Sequence, residues 1–255
     1  MGDVLRVSLI QTDIVWEDKR ANLDKCAAIL SHITGDCDLV VFPEMFTTGF
    51  SMRAEDLAEC IDGETITEVK KWSRNYNVAI AGSFIARAGN VCFNRGFFIE
   101  PDGSEHYYDK RHLFRMGEEG RHFVVVNYRG WNICLLVCYD LRFPVWCRNV
   151  GNEYDLLLFV ANWPQSRSYA WRNLLIARAI ENAAYVCGVN RIGQDATSMV
   201  YRGDTMAIGV KGDVVAESEP FVPQVVNAEL DLSKLKSFRE KFPVWKDADE
   251  VVLEK

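Results

Sequence analysis

Two short runs of the sequence, Leu39-Val40-Val41-Phe42 and Leu156-Leu157-Leu158-Phe159-Val160, are apolar at every position. A strand with one face in water alternates apolar and polar residues, whereas a run without alternation is typical of a strand buried on both faces. Helical stretches lie between runs of this kind. The pattern therefore predicts an α/β fold in which helices cover the faces of a central sheet.

Other runs rich in Val, Ile and Phe extend this pattern along the chain. We predict strands at residues 4–10, 38–42, 78–84, 95–99, 131–137, 156–160, 185–190 and 205–210. Apolar residues at helical spacing predict helices at residues 22–30, 65–76 and 171–181. Thr65 and Glu68 have the spacing of a capping box, which predicts the start of the second helix. Because no repeat, low-complexity tract or linker divides the sequence, we expect one domain over residues 1–255.

The charge balance of the sequence excludes some classes of partner. The chain has 36 acidic and 29 basic residues, a formal charge of -7. Such a protein repels nucleic acid and anionic membrane surfaces, so we expect neither as a partner. No apolar run approaches a membrane span, and the N-terminal residues lack the pattern of a secretory signal. The eight cysteines are scattered without a Cys-x-x-Cys pair, which predicts reduced thiols and a cytoplasmic location.

Three residues with complementary chemistry follow predicted strands or aromatic stretches. Glu44 comes after a buried strand that Pro43 ends, Lys110 after an aromatic stretch, and Cys138 after the apolar run 131–137. Ligands of open α/β sheets bind outside the carboxyl ends of strands, where these side chains could meet. A carboxylate can accept the thiol proton, and an ammonium group can stabilise a thiolate or an oxyanion. The backbone N–H of Tyr139 is a second candidate oxyanion donor.

The histidines argue against two other hydrolase classes. The sequence has only His32, His106, His112 and His122, none at the spacing common in zinc sites and none beyond Cys138. We therefore expect no metal and no papain-like Cys-His pair. His112 is interpreted as a packed structural residue.

At these residues the sequence resembles the carbon-nitrogen hydrolases of the nitrilase superfamily. The matching blocks begin at Phe42-Pro43-Glu44, Tyr108-Asp109-Lys110, Cys138-Tyr139-Asp140 and Ala161-Asn162-Trp163. The resemblance implies a four-layer α-β-β-α sandwich that pairs into a homodimer or a higher homo-oligomer. It also implies that Glu44 is the general base, Lys110 the oxyanion stabiliser and Cys138 the nucleophile. A further carboxylate often follows the lysine in this family, and Glu118 and Glu119 are both in range.

Within the superfamily, the blocks around Lys110 and Cys138 are similar to those of the bacterial omega-amidases. This similarity implies hydrolysis of the terminal amide of 2-oxoglutaramate or 2-oxosuccinamate through a Cys thioester. The mechanism needs no metal or organic cofactor. The substrate would be a small amide that carries a carboxylate at its far end.

The residues that bind this substrate are less constrained by the sequence. Phe46 and Trp163 are candidates for the pocket wall, with core packing as the alternative reading. Arg202 and Arg167 are candidates for the substrate carboxylate by position alone. Arg142 is interpreted as a structural residue that pairs with a nearby acid.

Two alternatives remain open at this point. The same three residues could act on a nitrile, a carbamoyl group or an unrelated amide. A protein of a different class, a scaffold that keeps the fold without turnover, would also retain much of the pattern. The segment 238–255 contains Phe242-Pro243-Val244-Trp245, an apolar cluster that could dock on its own domain or on a partner subunit.

Overall fold

The structure is a computed structural model that describes residues 3–33, 37–113 and 123–249. Strands and helices alternate through these ranges, as the apolar pattern predicts. In chain order the elements are β1 (Val4–Gln11), α1 (Lys19–Ser31), β2 (Leu39–Val41), α2 (Ala54–Leu57), α3 (Glu64–Tyr76), β3 (Ala79–Ala88), β4 (Val91–Ile99), β5 (Glu105–Asp109), β6 (Val124–Tyr128), β7 (Trp131–Val137), β8 (Leu156–Ala161), α4 (Ser168–Asn182), β9 (Tyr185–Asn190), β10 (Ile192–Gln194), β11 (Val200–Arg202), β12 (Met206–Ile208), β13 (Val214–Glu217), β14 (Gln224–Asp231) and α5 (Leu232–Lys241).

Two six-stranded sheets form the centre of the fold. Their strand orders are β14-β1-β2-β3-β4-β5 and β13-β12-β9-β8-β7-β6, and β10 and β11 pair separately. In each large sheet the central strands are parallel, β1 to β2 to β3 in one and β7 to β8 to β9 in the other. The remaining pairs are antiparallel. Glu44 follows β2 and Lys110 follows β5 in the first sheet, and Cys138 follows β7 in the second.

Burial on both faces explains the uninterrupted apolar runs. In β2, Leu39 and Val41 belong to the core between the two sheets. The alternate residues, Val40 and Phe42, pack in a second cluster with α1 and α3 on the outer face. Helix α4 covers the other sheet and contacts β9. The architecture is a four-layer α-β-β-α sandwich, which confirms the expected fold class.

All the predicted strands are present, although some bounds shift by several residues. The strands that sequence patterning missed are mainly short or lie at edges, such as β13 and β14. Along β14 burial alternates and the exposed positions are polar, so the segment lacks the apolar run that marks a central strand. Its partner β1 supplies the ladder of hydrogen bonds. Long-range pairing therefore decided these elements.

The predicted capping box at the start of α3 is wrong. The helix begins at Glu64 with Gly63 as its N-cap. The Thr65 hydroxyl donates to Glu59 Oε1 at 2.8 Å, and the Thr65 N–H donates to Glu59 Oε2 at 2.8 Å. A carboxylate from the preceding segment thus satisfies the first turn, and Thr65 is left inside the helix.

The C-terminal part of the described chain docks through α5. Leu232 and Leu235 join the main core, and the Arg239 guanidinium pairs with Asp155 at 2.8 Å. The apolar cluster beyond the helix is less covered, because Phe242 contacts the Phe238 ring yet stays exposed. Residues 250–255 of the predicted tail lie outside the described residues. Among the helices of the described ranges, none has the length and apolar character needed to cross a membrane.

Candidate active site

Glu44 lies three residues after the end of β2 and is completely buried. Its carboxylate oxygen Oε1 accepts hydrogen bonds from Lys110 Nζ at 2.8 Å and from Asn94 Nδ2 at 2.6 Å. The other oxygen, Oε2, accepts from the backbone N–H of Asn162 at 2.7 Å. The next residue, Met45, has a φ of 46°, so the chain turns sharply here. A buried carboxylate with these donors is fixed in orientation.

Lys110 follows β5 and is 2 % exposed. Its backbone N–H donates to the Asn94 carbonyl at 3.0 Å, which anchors the chain beside β4. Burial alone would lower the pKa of Lys110, but the negative charges of Glu44 and Asp140 outweigh burial and raise the pKa. The side chain therefore stays an ammonium group next to the Glu44 carboxylate.

Cys138 follows β7 and opens the 3-10 turn Cys138–Arg142 with a φ of 46°. A non-glycine residue in this left-handed region is uncommon and is often found at functional sites. Burial raises the pKa of the Cys138 thiol well above its usual range, and the charge of Glu44 raises it further, against a smaller lowering by Lys110. The resting site thus holds a neutral thiol beside a carboxylate.

Asp140 ties the turn of Cys138 to the segment that carries Lys110. Its Oδ2 accepts from the Val137 N–H at 3.1 Å and from the Tyr108 hydroxyl at 2.8 Å. Its Oδ1 contacts both the backbone N–H and the ring Nδ1 of His112. The His112 ring also stacks on Phe143 with centroids 3.7 Å apart, which confirms the interpretation of His112 as a packed residue.

Three residues of this site, Asn94, Asn162 and Asp140, were not assigned roles from the sequence. Asp140 and Asn162 belong to the matching sequence blocks, so a signal for them existed. Asn94 lies in the middle of β4, and only the pairing of β3, β4 and β5 brings it to Glu44.

A cavity of about 510 Å³ opens over Glu44, Lys110 and Cys138. Its size is ordinary for a site that binds a small molecule. Other lining residues are mostly apolar or aromatic, together with several charged side chains: Trp16, Glu17, Phe50, Met52, Arg53, Tyr139, Arg142, Trp163, Arg167, Asp195, Met199 and Tyr201. Tyr139, the candidate backbone oxyanion donor, and Trp163, a candidate wall residue, both lie at this cavity.

The charged side chains of the cavity differ in their partners. Glu17 pairs with Arg53 at 2.9 Å, and Asp195 accepts a hydrogen bond from the Tyr201 hydroxyl at 2.8 Å. The Arg142 guanidinium instead lies over the Trp163 ring, 4.9 Å from its centroid. Within the described part of the chain Arg142 forms no ion pair, and the acid partner that we expected stays a prediction because Glu118 and Glu119 lie outside the described residues. Arg142 lines the cavity from the turn that begins at Cys138.

Other predicted site residues lie elsewhere. Phe46 is 1 % exposed and stacks on Phe42, with centroids 5.1 Å apart. It packs under α3 and does not line the cavity, because the turn after Glu44 carries it back into the outer core. The Arg202 side chain is 39 % exposed and its Nε lies 3.2 Å from Asp204 Oδ1, outside the cavity lining.

The remaining predictions concern the supporting carboxylate, a metal site and the cysteines. Glu118 and Glu119, the candidates for the supporting carboxylate, lie outside the described residues. In the ranges that are described, no group of three or more His, Cys, Asp and Glu side chains is placed to bind a metal ion. All eight cysteines are free thiols.

Comparisons with known proteins agree with this architecture. A family model described as carbon-nitrogen hydrolase matches residues 6–240. The chain is 46 % identical over 252 residues to the omega-amidase YafV of Escherichia coli strain K12, covering 96 % of this chain and 97 % of that protein. It is 31 % identical over 251 residues to the 2-oxoglutaramate amidase of Bacillus subtilis strain 168, covering 94 % and 96 %.

A solved structure is also similar over nearly the whole length. It is XC1258 of Xanthomonas campestris, a CN-hydrolase superfamily protein with an arsenic adduct in the active site. The two structures superpose with a TM-score of 0.95 at 42 % identity, covering 98 % of this chain and 99 % of that one.

Proposed function

This chain belongs to the carbon-nitrogen hydrolase family, and on that basis we propose that it is an omega-amidase. It removes ammonia from the terminal amide of a short 2-oxo dicarboxylic acid such as 2-oxoglutaramate or 2-oxosuccinamate. The observation that carries the proposal is the convergence of Glu44, Lys110 and Cys138 at one cavity that Arg142 also lines. The names of the relatives in Escherichia coli and Bacillus subtilis support the choice of substrate.

The first half of the reaction forms a thioester. The neutral Cys138 thiol gives its proton to Glu44 as Sγ attacks the amide carbonyl carbon. The carbon-nitrogen bond then breaks, and the nitrogen takes the proton from Glu44 and leaves as ammonia. A general base is needed here because burial disfavours a preformed thiolate.

The second half of the reaction releases the acid. Water attacks the thioester carbonyl and gives a proton to Glu44, after which the carbon-sulfur bond breaks and Cys138 regains its proton. In both halves the carbonyl oxygen becomes negative, and Lys110 and the Tyr139 N–H are the proposed donors to it. The ammonium of Lys110 suits this role because Glu44 and Asp140 keep it charged.

A substrate with a carboxylate at its far end also needs a cation there. The amide and carboxyl carbons of 2-oxoglutaramate are four carbon-carbon bonds apart, about 5 Å when extended. Cys138 and Arg142 lie at the two ends of one 3-10 turn, and both line the cavity. The Arg142 side chain can therefore meet the carboxylate of a substrate whose amide lies at Cys138. Arg167, also at the cavity, is the second candidate.

Kinetics on purified protein test the proposal. We expect ammonia release from 2-oxoglutaramate, and expect Cys138→Ala to reduce turnover by about 10⁴-fold or more. The matched control is Cys60→Ala, because Cys60 is exposed and does not line the cavity. Quenched turnover mixtures of wild type should contain a covalent acyl adduct on Cys138, detected by intact-mass spectrometry and peptide mapping.

Other results would favour the alternative functions. Faster ammonia release from a simple nitrile or from an unrelated amide would overturn the substrate and leave the catalytic residues in place. No turnover of any amide, with thiol reagents labelling the cysteines without preference for Cys138, would favour a scaffold protein.

The cellular location and the oligomeric state stay predictions. The free thiols support a reducing compartment such as the cytoplasm. The homodimer expected from the family resemblance is tested by light scattering coupled to size-exclusion chromatography.

A further inference from the structure

Asn94 connects two of the three candidate catalytic residues. Its side-chain Nδ2 donates to Glu44 Oε1 at 2.6 Å, and its backbone carbonyl accepts from the Lys110 N–H at 3.0 Å. We propose that Asn94 is a positioning residue that sets the Glu44 carboxylate against Lys110 and Cys138 for proton transfer. The inference rests on the proposed function and adds a residue to its mechanism.

The hydrogen bonds around Asn94 have a fixed direction. The Met45 N–H donates to Ser83 Oγ at 2.9 Å, so the Ser83 hydroxyl must give its own hydrogen elsewhere. It lies 3.0 Å from Asn94 Oδ1, which can only accept. The amide group of Asn94 is thereby oriented with its NH₂ toward Glu44. The Met45 N–H, through the Ser83 hydroxyl, thus determines that the NH₂ group of Asn94, and not its Oδ1, contacts the Glu44 carboxylate.

These contacts form a closed ring. The ring runs from the Glu44 side chain to Asn94, Ser83 and the Met45 N–H, and returns through the peptide bond to Glu44. Ser83 and Asn94 are buried, so water does not compete for these bonds. Met45 has a left-handed backbone conformation. The ring of hydrogen bonds therefore fixes both this backbone turn and the orientation of the Glu44 carboxylate.

Strand pairing explains why Asn94 can serve both residues. Strand β4 lies between β3, which carries Ser83, and β5, which leads into Lys110. Loss of the Asn94 amide would leave Lys110 as the sole donor to Oε1 among the described residues. The carboxylate would keep Lys110 on Oε1 and the Asn162 N–H on Oε2 but lose the donor that fixes it from β4, and a displacement of about 1 Å at a reacting group costs about 10²-fold in rate.

The inference predicts a change in the pH profile as well as in the rate. Asn94 donates to the ionised carboxylate, and loss of such a donor favours the protonated form. The acidic limb of kcat/KM should therefore move to higher pH. The variant leaves unchanged the other titratable groups that act on Glu44 or on Lys110. These groups are Lys110 itself, Cys138, Tyr201 and Asp140.

The experiment compares three variants of the full-length enzyme on 2-oxoglutaramate. Asn94→Ala should lower kcat by about 10²-fold, leave KM within about 3-fold because no binding group is removed, and move the acidic limb upward. Ser83→Ala should lower kcat and move the acidic limb upward by smaller amounts than Asn94→Ala. Asn94 keeps its amide in this variant, but the amide loses its fixed orientation. Asn94→Asp should move the limb further, since two carboxyl groups would share one site.

Asn149→Ala is the matched control. Asn149 is a buried asparagine that bonds to Tyr154 and Asn182, away from the cavity lining. Asn149→Ala should lower the unfolding temperature without moving the acidic limb of kcat/KM, because it removes hydrogen bonds that only support the fold. Asn94→Ala or Ser83→Ala enzyme with wild-type kcat and an unmoved limb would overturn the inference, as would an equal shift in Asn149→Ala. Should Asn94→Ala not fold, Ser83→Ala decides alone. If the wild type does not turn over 2-oxoglutaramate, or if Cys138→Ala stays active, the proposed function is refuted instead.

Discussion

Replacement of Arg142 by Met is expected to separate recognition of the substrate charge from the chemistry at Cys138. The Arg142 guanidinium lies over the Trp163 ring, and both residues line the cavity. Met keeps an unbranched side chain that can still pack on the Trp163 ring, while the charge and the donors are lost. Lys at the same position keeps the charge but not the forked geometry that matches a carboxylate.

The size of the effect follows from the contact that is lost. A hydrogen bond to a charged group contributes about 1.5–3 kcal/mol, which corresponds to about 10- to 150-fold in kcat/KM. Arg142 is half-buried, so solvent weakens the pair and the lower part of this range is expected. Arg142→Lys should lose less than Arg142→Met.

The assay compares two substrates with each variant. Arg142→Met should lower kcat/KM for 2-oxoglutaramate and leave kcat/KM for a neutral amide of similar length unchanged. An equal loss on both substrates would mean that Arg142 supports the active site by packing alone. No loss on either would refute the assignment, and a selective loss in a parallel Arg167→Met variant would move the carboxylate site to that residue.

Two further predictions concern protonation and stability. Because burial raises the pKa of Cys138, the ultraviolet thiolate signal of wild type minus Cys138→Ala should stay flat up to about pH 8.5, where an ordinary thiol is half ionised; a rise near neutral pH would contradict a neutral resting thiol. Arg239→Met should lower the free energy of unfolding by about 3–5 kcal/mol in a denaturant titration, because it leaves Asp155 buried without its cation. The exposed Arg20→Met is the control, and an equal loss there would refute the reasoning.

Local chemistry made the central strands and the reactive residues predictable. A run such as Leu156–Phe159 can lie only where both faces are covered, whatever its neighbours are. Glu44, Lys110 and Cys138 were identified because each reactive side chain follows its own strand or aromatic stretch in a block of characteristic sequence. At the start of α3, in contrast, the capping-box spacing of Thr65 and Glu68 was misleading. The Glu59 carboxylate, from the segment before the helix, accepts the hydrogen bonds of Thr65 instead.

The sequence by itself determined which residues are buried in strands and which of them carry reactive groups, because these properties depend on neighbours along the chain. Only the tertiary structure decided the partners of Glu44. Asn94 and Asn162 reach its carboxylate from segments 50 and 118 residues away, and Phe46 turns into the core although it stands two residues from Glu44. Directions of side chains and long-range donors depend on how strands pair and where turns point. A one-dimensional pattern does not contain that information.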